Sequence, residues 1–324
     1  AMTAFGATVT EVSNPIDLQT AVNKGGTIKL TSDFAINGDL TIPSGKTVTL
    51  NLNDHQLGLD DDNIIIKQNA KLIITEDENS VKLKGQIRYY ADAAIYNDGT
   101  LVIQDGEINV PIYNGENNKA SLTINGGLFT GNLFDSLLLN YEGSTVTING
   151  GEFTSINVIT EYKNYVGAVA WNQGNLVVNG GKFSNNTAFQ GGVFYNYPTG
   201  NITVNGGTFE NAPEKIIEGK ATIMGGQFAS REIGTTLPKG HFMSSEPNED
   251  GYYEIIEANF EVDNKGYTTF ADAISNVSKG GTIALLNDID EPLAITKDVT
   301  LDLRTKAHNN GMAYNITGDI KPGS

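Results

Sequence analysis

One eight-residue phrase returns five times along this chain, and its return constrains the fold more than any bulk property. It reads Leu122-Thr-Ile-Asn-Gly-Gly-Leu-Phe129, then Val146 to Phe153, Leu176 to Phe183, Ile202 to Phe209 and, more loosely, Ala221 to Phe228. With Gly85 and Gly106 ahead of them, the recurring glycines Gly127, Gly151, Gly181, Gly207 and Gly226 are separated by steps of 21, 21, 24, 30, 26 and 19 residues. Repeats of that length are too short for paired helices and suit a coil of about three short strands per turn. Within the phrase a period of two sends Leu122 and Ile124 inward and Thr123 outward, and Phe129 re-enters the core after the turn. The five phenylalanines are therefore expected to stack. Asn125, Asn149, Asn179 and Asn205 are expected to form a ladder of amides from rung to rung. The chain reads as an all-β, right-handed single-stranded parallel β-helix, a solenoid of at least nine coils, with a short N-terminal capping helix.

Composition narrows the function classes. The 324 residues carry 38 acidic and 21 basic side chains, a net charge of -17 that repels a phosphate backbone and an anionic lipid surface alike. Nucleic acid is not an expected partner, and no apolar run approaches the roughly 20 residues that span a bilayer. Cysteine is absent, which removes disulfides, thiolate metal sites and cysteine nucleophiles together.

The pattern divides the chain into four parts. Residues 1–24 read as an N-terminal cap, in which Asn14-Pro15 opens a short helix with apolar Ile16, Leu18, Ala21 and Val22. It covers the hydrophobic cross-section that the first coil of a solenoid would otherwise expose. Residues 25–232 read as the β-helix and 233–258 as an exit loop with a hairpin-like closing segment. In 259–324 the beginning starts again as a partial second copy: Phe270-Ala-Asp-Ala-Ile-Ser-Asn-Val-Ser-Lys-Gly-Gly-Thr-Ile-Ala-Leu285 answers Leu18-Gln-Thr-Ala-Val-Asn-Lys-Gly-Gly-Thr-Ile-Lys-Leu30, and Val299 to Leu303 answers Val48 to Leu52.

That opening module, followed by Ile-Pro-Ser-Gly-Lys-Thr-Val-Thr-Leu-Asn-Leu52 and the Ile-Asn-Gly-Gly-x-Phe rungs, resembles the adhesin-like, pectate-lyase-fold surface proteins of gut Firmicutes. The resemblance spans nearly the whole chain. It implies a right-handed parallel β-helix, export to the cell surface of a Gram-positive bacterium, and tandem repetition, with signal and anchor lying outside this chain. It transfers no active-site residue. Short β-helices of phage receptor-binding and decoration fibres look similar, and such a fibre would be a trimer where an adhesin module would be a single chain.

Catalytic constellations are sparse. Lyases on this fold need Asp ligands for Ca²⁺ and a basic residue, and the three arginines Arg88, Arg231 and Arg304 stand beside no acidic cluster in a repeated strand. A hydrolase needs closely placed carboxylates, whereas Asp135, Glu142, Glu152 and Glu161 are scattered at loop-like positions. His55, His241 and His308 lack the spacing of a zinc site and read as solvent-facing. Asp60-Asp61-Asp62-Asn63 and Glu76-Asp77-Glu78-Asn79 read as solvated acidic turns, without the glycine-punctuated alternation of a calcium loop. No metal and no cofactor is expected, and the residues favour a non-catalytic role over a polysaccharide lyase or hydrolase.

One recurrence points to binding. Tyr96, Tyr113, Trp171 and Tyr195 each follow an apolar residue (Ile95, Ile112, Ala170, Phe194) and precede an asparagine, with Leu139 in the same place one rung apart. If the apolar neighbours point inward, the rings point outward and align at about 4.8 Å per rung. Exposed rings with nearby amides suit a glycan, and a host or bacterial surface protein is the other expected partner; rings that merely protect the sheet face are the structural alternative.

Overall fold

The computed structural model describes residues 9–77, 86–88, 93–133, 135–158, 166–210, 215–289 and 293–303. They fall into two compact units, Ala1–Thr222 with Phe228–Thr236, and Ile223–Gln227 with Leu237–Ser324. The first unit is a parallel β-helix. Each rung contributes a short strand to three separate sheets, as Ile112–Asn114, Ser121–Ile124 and Leu128–Leu133 do in one rung. Each strand pairs in parallel with its counterpart one rung later: Leu138–Asn140, Thr145–Ile148 and Glu152–Val158. We call the ten-stranded stack containing Ser121–Ile124 the first sheet, the eight-stranded stack containing Ile112–Asn114 the second, and the stack containing Leu128–Leu133 the third.

Strand alternation fills the interior. In Ser121–Ile124 the side chains of Leu122 and Ile124 are buried and those of Ser121 and Thr123 partly exposed, and register places Val146 and Ile148 on the first pair in the next rung. Phe129, Phe153, Phe183, Phe209 and Phe228 stack as expected, with ring centroids 4.5, 4.9, 4.7 and 4.9 Å apart and planes within 11° of parallel.

The paired glycines serve two different purposes. The second of each pair, such as Gly151 at φ 98° and Gly181 at φ 102°, sits where an L side chain is strained. The first is fixed by close approach: a methyl group at Gly150 would fall 2.5 Å from the Asn125 carbonyl oxygen of the rung before, and one at Gly180 the same distance from that of Asn149. The asparagines between strand and glycines form the expected ladder, Asn149 Nδ2 donating to Asn125 Oδ1 at 2.8 Å, Asn179 to Asn149 at 2.8 Å and Asn205 to Asn179 at 2.9 Å. This ladder lies in solvent.

The capping helix spans Pro15–Lys24, with the Asn14 side chain accepting from the Asp17 amide at 3.0 Å. Leu18, Ala21 and Val22 are buried as the stripe implies, but Ile16 is 76% exposed. It stands in the first turn beside Pro15, off the buried stripe.

The second unit contains the antiparallel pair His241–Met243 with Tyr253–Glu257, then a small sheet and the helix Phe270–Asn276. Its core is Phe260, Val262, Phe270, Ala273, Ile274, Val277, Ile283 and Leu285. Thr282 pairs with Thr300 and Ile283 with Leu301, the same register as Thr27 with Thr49 and Ile28 with Leu50 in the first unit. The repeat thus extends to strand register. Its lead-in differs: Val9–Val12 runs parallel to Gly26–Leu30, whereas Phe260–Val262 runs antiparallel to Thr282–Leu285. Before its helix, the second unit turns back through a two-residue hairpin at Asp263 and Asn264, both at positive φ.

Candidate functional site: the outer face of the second sheet

Every second-sheet strand from Ile95 onward is three residues long up to Phe194–Asn196, and each position has one fate. The first position is apolar and buried, as at Ile95, Ile112, Leu138, Ala170 and Phe194. The second points out. Register sets Tyr96 beside Tyr113, Tyr113 beside Leu139, Leu139 beside Trp171 and Trp171 beside Tyr195, one continuous row bounded by Ile65 and Glu218.

The third position is asparagine and turns back into the protein. Asn97, Asn114, Asn140, Asn172 and Asn196 are 5% exposed or less. Asn97 Nδ2 donates to Asn114 Oδ1 at 2.7 Å, Asn114 to Asn140 at 2.8 Å, Asn140 to Asn172 at 2.7 Å and Asn172 to Asn196 at 2.8 Å. The amide nitrogens of Asn97, Asn114, Asn140 and Asn172 also reach a backbone carbonyl of the first sheet, for example Asn97 to Ser121 and Asn114 to Thr145, both at 3.0 Å, and that of Asn196 reaches the carbonyls of Gly200 and Lys220. Both amide hydrogens are thus satisfied away from water, as a buried carboxamide requires. Sequence reasoning placed these amides where they could meet a ligand's hydroxyls; they are instead committed to the scaffold, and they fix the corner on which the outer row rests.

The row itself divides at Leu139, which is 7% exposed. On one side Tyr96 and Tyr113 stack at 4.9 Å with 20° between planes, so each spends one face on the other. On the other side Trp171 meets Tyr141 edge-on at 5.7 Å and 70°, and Tyr197 at 6.0 Å and 51°. Tyr141 and Tyr197 directly follow the ladder residues Asn140 and Asn196, so they occupy one corner column on the rungs before and after Trp171, with Gln173 between them in that column. The result is a three-ring nest whose planes are not parallel. Tyr195 remains partly exposed beside it. Tyr197 is 41% exposed.

Two carboxylates act on the tyrosine side. Burial raises the Tyr113 phenol well above its ordinary value, with Asp135 the next contributor, followed by Tyr96, Tyr141 and Glu116. Burial also pushes Tyr141 up to about 12, and Glu116 and Asp135 add to it. The Asp135 carboxyl is itself raised by desolvation, against the lowering effect of the Ser136 amide that it accepts from. Because its folded value is raised, ionised Asp135 opposes folding above the ordinary aspartate range and not below it. Asp135→Asn, which keeps an acceptor for the Ser136 amide, is expected to raise the melting temperature near pH 7 and to leave it unchanged near pH 3. A lowered melting temperature at pH 7 would show that the carboxylate is stabilised by contacts other than these.

Several of the other candidate groups are tied up within the protein, while Asp60, Asp61, Glu142 and Glu152 are exposed. Asp77 takes the Lys29 ammonium at 2.8 Å and the Asn51 amide at 2.5 Å, and Glu76 accepts from the Asp54 backbone at 2.7 Å. Asp62 accepts from Gly38, and Asp39 from Asn63. His55 meets Asp33 at 3.0 Å, and His241 is partly buried with its Nδ1 out of water, so neither is the plainly solvent-facing ring the sequence suggests. Glu78, Asn79, Glu161, Arg304 and His308 lie outside the described residues. Among the described residues no three His, Asp or Glu side chains gather as a metal site would need, and no helix is long and apolar enough to cross a membrane. No protein-family model, curated protein or solved structure matches the chain.

Proposed function

We propose that the first unit is a non-catalytic binding module of an extracellular, adhesin-like surface protein, which holds glycan on the outer face of its second sheet. The observation that carries the reading is the Trp171 nest: an indole set between Tyr141 and Tyr197 from the flanking rungs, on a corner locked by buried asparagines. Aromatic surface of this kind favours the apolar faces of sugar rings, and Gln173 in the same corner column supplies an amide for hydroxyls. A preformed corner also lowers the ordering cost of binding. The scattering of carboxylates along the repeated strands and the commitment of the ladder amides to the scaffold favour binding over cleavage.

Titration of the whole chain with soluble oligosaccharides, on an array and then by calorimetry, tests this. An open face buries little of a ligand, so dissociation constants of about 1 µM to 1 mM are expected. Release of reducing ends or unsaturated products above a heat-inactivated control would replace the binding reading with an enzymatic one. A host or bacterial surface protein captured in the complete absence of glycan binding would move the partner class instead.

A further inference from the structure

The two halves of the outer row differ in charge as well as in ring geometry. Around Trp171 the corner column holds Tyr141, Gln173 and Tyr197, none of them a carboxylate. Around Tyr96 and Tyr113 the flanking groups are acidic. Glu116 is exposed on the loop that follows Asn114, and that loop is pinned by Asp98, whose carboxylate accepts from the backbone amides of Asn117 and Asn118 at 3.1 and 3.2 Å. Asp135 lies half-buried two residues ahead of Leu137, whose carbonyl accepts from the Ile112 amide at 2.7 Å, so it sits on the segment leading into Leu138–Asn140, the strand that pairs with Ile112–Asn114. Both carboxylates act on the Tyr113 ring.

We propose that this tyrosine half, Tyr96 and Tyr113 with Glu116 and Asp135, selects sugars that carry a free protonated amine over neutral and uronate sugars. The inference rests on the glycan reading of the row and specifies the ligand class. An ammonium group gains from the ring faces and edges of neutral tyrosines and from two nearby carboxylates, one of them partly desolvated, where an attraction is less screened than in open solvent. A uronate meets the same two charges as repulsion, added to the field of a chain with net charge -17. An N-acetylated sugar gains neither effect and keeps only ring contacts and hydrogen bonds.

Three probes of equal length separate the outcomes: a glucosamine oligomer with free amines, its fully N-acetylated counterpart, and an oligogalacturonate, each titrated against the whole chain at a pH where the amines are protonated. The free-amine oligomer is expected to bind about tenfold more tightly than the acetylated one, with the uronate weakest. Glu116→Gln with Asp135→Asn is expected to bring the free-amine oligomer down to the acetylated level without changing the acetylated oligomer's affinity. Glu11→Gln with Glu152→Gln removes the same net charge elsewhere in the first unit and is expected to preserve the preference. Equal affinity for free-amine and acetylated oligomers, tighter uronate binding, or equal losses in both double variants would overturn the proposal while leaving the glycan reading in place. Binding of none of the three would overturn that reading, and the inference with it.

Discussion

Phe153→Ala is expected to destabilise the first unit by about 3–5 kcal/mol, read as a lower denaturant midpoint with little change in slope. The ring is fully buried and lies between Phe129 at 4.5 Å and Phe183 at 4.9 Å. Removing it takes away a large apolar side chain and two stacking partners at once, each stack worth about 0.5–1.5 kcal/mol beyond its area. Collapse into the gap is resisted because both neighbouring rings are fixed by strand pairing with the rungs on either side, Phe129 opposite Phe153 and Phe153 opposite Phe183. A loss below about 1 kcal/mol would mean that the rungs can close up and that the phenylalanine column is not what holds them.

Asn140→Ala is expected to cost about 2–6 kcal/mol, far more than the same change in the exposed ladder. Asn140 accepts from Asn114 and donates to Asn172, so its loss strands a buried N–H on one side and a buried carbonyl oxygen on the other, at about 1–3 kcal/mol each. Asn149 makes the equivalent two ladder bonds, to Asn125 and from Asn179, but in solvent. Water replaces them there, and Asn149→Ala is expected to cost less than about 1 kcal/mol. Equal losses at the two positions would show that ladder bonding, rather than burial, sets the energy.

These two asparagine columns also show what the sequence could and could not reveal. The Asn125, Asn149, Asn179 and Asn205 column precedes a glycine pair that cannot vary, because one glycine meets a carbonyl of the neighbouring rung and the other takes a positive φ; the constraint therefore repeats visibly. The buried column carries no such marker. Asn97, Asn114, Asn140, Asn172 and Asn196 lie at uneven intervals because the loops between second-sheet strands differ in length, and a polar residue in a strand normally signals the outer face. The usable signal was phase: each stands two residues after a buried apolar side chain, and the same column is filled by Ile42 and Ile66 in earlier rungs. The row Tyr96, Tyr113, Trp171 and Tyr195 could be placed by that same alternation, but its division at Leu139 and the recruitment of Tyr141 and Tyr197 could not. Those depend on how corner residues of neighbouring rungs meet, which strand periodicity does not encode. The reversed lead-in of the second unit is similar, since the repeated phrases begin only after the hairpin that reverses it.

Trp171→Ala, assayed for glycan affinity and for melting temperature in the same preparation, tests the functional reading most directly. Trp171 is the ring that Tyr141 and Tyr197 both contact, it points outward, and it takes no part in the asparagine ladder beneath it. If the nest is a sugar surface, the variant loses at least about tenfold in affinity, equivalent to about 1.4 kcal/mol, while its melting temperature stays close to that of the parent chain. Undiminished glycan affinity together with a clearly lowered melting temperature would contradict the reading and leave the outer row as part of the scaffold.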